Sequence, residues 1–178
     1  MTFRYPGGKA KLKKEIFSKL QAVYSDQIEY REPFFGGGSI GLYFLELNSN
    51  IKKIWINDFD IGISSLWTSI IRYPEELQKQ ILNFKPSVSA FDDFKQELLS
   101  TNSIEEKEIV SFGFKKLAIH QISYSGLGTK SGGPLGGRDQ KSNYKIDCRW
   151  SPNYICKKID KINSLFSKFS IKNDACTN

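Results

Sequence analysis

The sequence predicts an α/β fold in which a nucleotide-binding core is interrupted by a mainly helical insertion. Three observations carry this expectation. Glu32-Pro33-Phe34-Phe35-Gly36-Gly37-Gly38-Ser39-Ile40-Gly41 runs from apolar and aromatic residues through a glycine cluster into an amphipathic stretch, which reads as strand, tight turn and helix start. Residues 74–122 carry helical periodicity and no strand signal. Residues 123–144 then turn so rich in Gly and Ser that no regular helix can hold.

Taken in order, Ala10 to Tyr24 place Leu12, Ile16, Phe17, Leu20 and Val23 at helical spacing, with lysines on the other face. The helix after the glycine turn has Ser39 near its N-cap and Leu42, Tyr43, Leu45 and Leu47 to bury. Ile51 to Ile56 form a short strand ending in Asn57-Asp58, and Ile61, Leu66, Trp67, Ile70 and Ile71 resume the helical rhythm. Pro74 opens the next helix, where its missing N–H is harmless. Ser89 opens another helix through Leu99, and Ser103 with Glu106 forms a capping box for a longer one towards Ile122. Ser151-Pro152 start a last helix carrying Ile155, Ile159, Ile162, Leu165 and Phe166, after which Phe169-Ser170-Ile171 begin a strand leading to Asn173-Asp174. The expected divisions are a core segment at 1–73, an insertion at 74–150 and a return to the core at 151–178.

A chain of 178 residues can bury one good core. Its formal charge of +7 and pI of about 9.2 favour an anionic partner, and a polyanion such as DNA gains most through counterion release. Lys9, Lys11, Lys13 and Lys14 form one basic cluster; Lys115, Lys116, Lys130, Arg138, Lys141, Lys145 and Arg149 form another. Cys148, Cys156 and Cys176 are odd in number with no C-x-x-C pairing, so they read as reduced thiols rather than a disulfide or zinc framework. No apolar run reaches the roughly 20 residues of a membrane span, and lysines begin at Lys9, so no membrane and a cytoplasmic setting are expected.

Gly36, Gly38 and Gly41 fit G-x-G-x-x-G, which alone suggests a dinucleotide pyrophosphate. Glu32, four residues ahead of the first glycine, would repel that anion. S-adenosylmethionine matches better, since it carries an ammonium and a sulfonium and no phosphate. Asp58 stands where an acid binds ribose hydroxyls in nucleoside-binding βαβ units. Read blandly, the same features are a plain strand-to-helix connection and a helix cap.

The N-terminal Phe3-Arg4-Tyr5-Pro6-Gly7-Gly8-Lys9, followed in order by the Glu32 glycine motif and Asn57-Asp58, resembles the start of the Dam-type DNA adenine-specific methyltransferases. The resemblance implies a Rossmann-like S-adenosylmethionine-dependent core, incomplete here, with a target-recognition insertion. It implies that Tyr5, Lys9, Glu32, Phe34, Gly36, Gly38, Asp58 and Asp174 bind the cofactor. Tyr5 offers a ring face to the sulfonium and Lys9 a partner for the methionine carboxylate.

The insertion is the expected reader of double-stranded DNA. Tyr124, Ser125, Lys130, Arg138 and Arg149 can reach phosphates or base edges, and Tyr124 and Tyr144 can stack on bases. Similar family members carry a Ser-Phe/Tyr-Ser-Gly segment followed by Gly-Gly-Pro-Leu/Ile-Gly-Gly, as here, but many have Asn-Arg where this chain has His120-Gln121. His120, near a helix end with no positioned nucleophile, reads as a packing or capping residue rather than a base. Trp55, Trp67 and Trp150 read as core packing. The family's catalytic Asp-Pro-Pro-Tyr does not occur in this sequence. The expectation is therefore a truncated gene fragment, or one half of a split enzyme with a C-terminal half bearing that motif as a further partner, that holds the methyl donor and DNA but is inactive alone. The alternatives are a non-catalytic basic DNA-binding module and a nicotinamide-dependent dehydrogenase fragment.

Overall fold

The computed structural model describes residues 6–21, 28–47 and 50–173; Tyr5, Val23, Tyr24, Asp174 and Cys176 lie outside them. The described elements run α1 (Lys13–Gln21), β1 (Ile28–Glu32), α2 (Gly41–Leu47), β2 (Ile51–Ile56), α3 (Ile61–Arg72), α4 (Pro74–Asn83), α5 (Val88–Ser100), α6 (Ile109–Ile122), α7 (Pro152–Phe166) and β3 (Ser170–Asn173). The strands form one parallel sheet in the order β1-β2-β3. Parallel neighbours require crossovers, and α2 supplies the first, while everything from α3 to α7 lies between β2 and β3.

Strand β2 buries Ile51, Ile54 and Ile56. Strand β1 alternates instead, with Ile28, Tyr30 and Glu32 half-buried and Glu29 and Arg31 exposed on the other face as an ion pair of 3.1 Å. One face of β1 is therefore wet and polar, where burial on both faces is the rule for parallel strands.

A single apolar cluster joins the sheet to the helices, combining Ile54 and Ile56 of β2, Leu66, Trp67 and Ile70 of α3, Leu77 of α4, Leu117 of α6, and Ile159 and Phe166 of α7. All five apolar positions expected of α7 are buried. A second cluster of Phe91, Ile119, Ile122 and Ile146 ties α5, α6 and the following loop together. Helix α1 rests on α2 through Phe17, edge-on to Tyr43 and Phe44 at 5.5 and 4.9 Å.

Several local expectations change. Within α2 the buried residues are Leu42, Phe44 and Leu45, while Tyr43 is half-buried and Leu47 exposed, because the seven-residue helix ends before its last leucine reaches the core. That helix begins at Gly41, two residues after Ser39. The described helix α1 begins at Lys13 and leaves Leu12 half exposed. Ser87, not Ser89, caps α5 by accepting from the Ala90 N–H at 3.0 Å. The capping box lies at Glu105 and Glu108 around a short 3-10 turn leading into α6, not at Ser103 and Glu106. Ser151 does occupy the N-cap of α7 ahead of Pro152, but its hydroxyl makes no capping bond.

Candidate functional site

The register of β1 against β2 builds the site. Glu32 pairs with Ile56, and the pairing continues beyond the strands as the Asn57 N–H donates to the Glu32 carbonyl (3.1 Å) and the Phe35 N–H to the Asn57 carbonyl (2.9 Å). This carries the glycine turn alongside Asn57-Asp58 at the carboxyl ends of the two strands. Topology thus brings together residues that the sequence separates by 22 positions: the Gly36 N–H donates to Asp58 Oδ2 at 2.7 Å. The other oxygen, Oδ1, accepts from the Asp60 N–H at 3.0 Å, and the Asp58 carbonyl accepts from Ser64 Oγ at 2.7 Å.

Asp58 is thereby held in one orientation by the two segments it joins. Burial raises its carboxyl above the ordinary carboxylate value, opposed chiefly by the Asp60 and Gly36 N–H groups. Each oxygen keeps a second lone pair, so the group can still accept from a ligand hydroxyl.

Trp67 of α3 supports the turn from below. Its indole N–H donates to the Gly36 carbonyl at 2.8 Å, and its ring stands edge-on to Phe35 with centroids 4.6 Å apart. Gly36 and Gly38 both have positive φ. At Gly38 a glycine is required twice over: φ is +69°, and an added Cβ would sit 2.7 Å from the Trp67 ring. The sequence marks Trp67 only as core; its bond to the turn spans 31 residues and leaves no local signal.

Glu32 faces the same turn half-buried. Tyr30 Oη donates to its Oε2 at 2.7 Å, and the Gly41 N–H also donates to it. Burial outweighs these bonds and pushes the Glu32 carboxyl up to about 7, while burial and the carboxylate raise the Tyr30 phenol. Lys9 acts on Glu32 as the neighbouring cation and Asp58 as the neighbouring acid. Two large side chains stand open to solvent beside this pair of acids, Phe34 after β1 and Phe59 after β2, at 75% and 91% exposure.

The expected DNA-contacting residues lie elsewhere. The 123–144 segment leaves α6, makes two 3-10 turns, and returns so that Ser123 bridges Pro134 and the Leu135 N–H donates to the Ile122 carbonyl at 2.7 Å. It is a loose hairpin pinned at its neck. Tyr124 and Ser125 project at its start, both exposed, with Ser125 at φ +53°. Such backbone strain concentrates where a loop serves a function. Buried His120 organises the segment: its Nδ1 lies 3.1 Å from the Gly126 carbonyl and its ring fills the space over Gly128, which agrees with a packing role.

The second basic cluster is divided by the fold. Lys116 is buried and pairs with Asp60 at 2.5 Å, and Lys115 pairs with Glu97, so neither faces a nucleic acid freely. Arg138 is exposed but holds Asp92 of α5 through both terminal nitrogens at 2.9 Å. Among the described residues, exposed Lys130 and Arg149 form no ion pair. Tyr144 is 71% exposed. No group of three His, Cys, Asp or Glu side chains is placed to hold a metal among the described residues. No helix there is long and apolar enough to cross a membrane.

The model of the D12 class N6 adenine-specific DNA methyltransferases matches residues 5–128, more than two thirds of the chain. The chain belongs to this family. No curated protein was found to match it. Within this D12-class chain the matched span covers the glycine turn, Asp58, Trp67, Lys116, Tyr124 and Ser125, and ends before Lys130, Arg138 and Arg149.

The family implies S-adenosylmethionine, and the residues present fit it. Two acids bond to backbone N–H groups of the glycine turn, and exposed Phe34 and Phe59 adjoin them in the chain, a set suited to a cationic nucleoside without phosphate. Glu32, when ionised, would repel a pyrophosphate.

Proposed function

We propose that this chain forms the cofactor-binding and DNA-recognising part of an adenine-N6 DNA methyltransferase, with S-adenosylmethionine as methyl donor and double-stranded DNA as substrate. The observation that carries the reading is the convergence of Glu32, Gly36 and Asp58 at the ends of β1 and β2 within the family match. Its sheet would be one half of a Rossmann-like core, and the 74–150 segment the recognition module.

In this reading Asp58 accepts the ribose hydroxyls and Glu32 takes the ammonium of the amino-acid end. Lys9, with Tyr5 and Asp174, completes the cradle. Phe34 offers an apolar wall. When bound, the cofactor supplies an electrophilic methyl group on its sulfonium. Tyr124, Ser125, Lys130, Arg138 and Arg149 hold the duplex, the exposed tyrosines offering stacking faces. Methylation of an exocyclic amino group needs the base outside the stack and acceptors that orient it. The transfer itself needs a segment carrying Asp-Pro-Pro-Tyr, which does not occur among these 178 residues.

Calorimetric titration with S-adenosylmethionine tests the core of this reading. Binding is expected, and Asp58→Ala should weaken it by roughly tenfold or more, the loss of a charge-assisted bond pair. Absence of binding, or equal binding by the variant, would reject it. Adding a matched C-terminal half should restore methyl transfer to adenine-containing DNA.

A further inference from the structure

Sequence patterning counts Lys116 among the cations of the second basic cluster, but the fold turns it inward. Helix α6 crosses α3 so closely that a Cβ on Gly113 would lie 2.8 Å from the Leu66 backbone. One turn later Lys116 lays its stem across Gly62, where an added Cβ would meet Lys116 Cδ at 2.8 Å, and its ammonium reaches Asp60 Oδ2 at 2.5 Å. The residue is 4% exposed.

Asp60 is itself committed. Its Oδ1 caps α3 by accepting from the Ile63 N–H at 3.1 Å, and its own N–H donates to Asp58 at 3.0 Å. A continuous series of bonds therefore runs from Lys116 on α6 through Asp60 and Asp58 to the Gly36 N–H. Burying an ammonium is costly unless its charge is used, and its pairing with the partly exposed Asp60 is weak evidence for stability alone.

We infer that Lys116 is a positioning residue of the cofactor cradle, which holds Asp60 in place and keeps Asp58 ionised for the ribose. The inference rests on the reading of Asp58 as the ribose acid. Charge bookkeeping supports it. Asp58 has acids on two sides, Asp60 on its own loop and Glu32 from β1; Lys116 is the cation paired with Asp60 and acting on Asp58, while Lys9 is the cation acting on Glu32. Removing the ammonium leaves Asp58 the Asp60 and Gly36 N–H bonds but exposes it to the unopposed charge of Asp60, so its ionisation moves to higher pH.

The same helix holds the recognition hairpin one turn further on, where His120 lies against Gly126 and Gly128. Lys116 and His120 stand four residues apart on α6, so one element sets both the acid of the cradle and the neck of the loop.

The test is calorimetric binding of S-adenosylmethionine and of 5′-methylthioadenosine across a pH series, using the full chain. The second ligand has the ribose but no ammonium, so it reports Asp58 without Glu32. Lys116→Met should bind both about tenfold more weakly at acid pH, with the acid limb moved to higher pH, and Lys116→Arg should restore the profile. Asp60→Asn, which keeps a capping oxygen, should move the limb the opposite way, and it serves if Lys116→Met does not fold. The salt dependence of DNA binding should be unchanged in Lys116→Met, because the ammonium is buried. If the unmodified chain binds neither ligand, the reading of the cradle falls and this inference with it. If it binds both and the variants keep its pH profile, the positioning role alone is overturned.

Discussion

At the scale of the residue, the pair Tyr30–Glu32 sets opposite pH demands on stability and on binding. Glu32 titrates near 4.5 in an unstructured chain and at about 7 in the fold, so across that interval the folded chain binds more protons than the unfolded one. Stability should therefore fall as pH rises from about 4.5 to about 7, and Glu32→Gln should flatten that part of a melting-temperature profile. Affinity for S-adenosylmethionine should change the other way, increasing as Glu32 ionises to meet the ammonium. Calorimetry in two buffers of different ionisation heat should then detect proton release on binding near pH 6.5. Trp67→Phe keeps the ring against Phe35 but leaves the Gly36 carbonyl without its donor, which should cost about 1 kcal/mol in chemical denaturation. Gly38→Ala should cost more, on the order of 3 kcal/mol, from a left-handed backbone and a methyl forced against Trp67. Glu32, Gly36 and Asp58 are visible in the sequence because their types and spacing form a motif. Trp67, Asp60 and Lys116 are not, because each acts through a partner on another element.

At the scale of the element, the helices between Pro74 and Ile122 and the amphipathic α7 follow from periodicity, and Pro74 and Pro152 mark their starts as expected. The caps do not follow so closely. Ser87 and Ser89 have equal local preference, and Ser103 is a better N-cap type than the Glu105 that takes the place, so the choice falls to where the packed apolar face must begin. The basic hairpin shows the same limit more sharply. A count of cations treats Arg138, Lys130 and Arg149 alike, yet Arg138 is already matched by Asp92, whose carboxyl the guanidinium holds below the ordinary value. Lys130→Ala and Arg149→Ala should each weaken DNA binding and reduce the slope of log affinity against log salt by about 1. Arg138→Ala should change that slope less, since Asp92 is freed as the guanidinium is lost; fluorescence anisotropy at several salt concentrations distinguishes the three.

At the scale of the whole molecule, one apolar cluster reaches from β2 through α3, α4 and α6 to α7, so the expected core and insertion share buried surface. Thermal unfolding should accordingly proceed in a single transition by calorimetry; two separated transitions would mark the 74–150 segment as an independent unit. Ile159→Ala, at 0% exposure in that cluster, should destabilise the chain by about 2–5 kcal/mol and loosen the return of β3 to β2. The sequence by itself determined the α/β order, the amphipathic helices, the glycine turn and its two acids, because these depend on composition and on periods of a few residues. Only the tertiary structure decided which lysines face solvent, which tryptophan holds the turn, and how α6 reaches Asp60. Those outcomes depend on contacts between residues 31 and 56 positions apart, which exist only once parallel pairing and helix crossing have brought distant segments together.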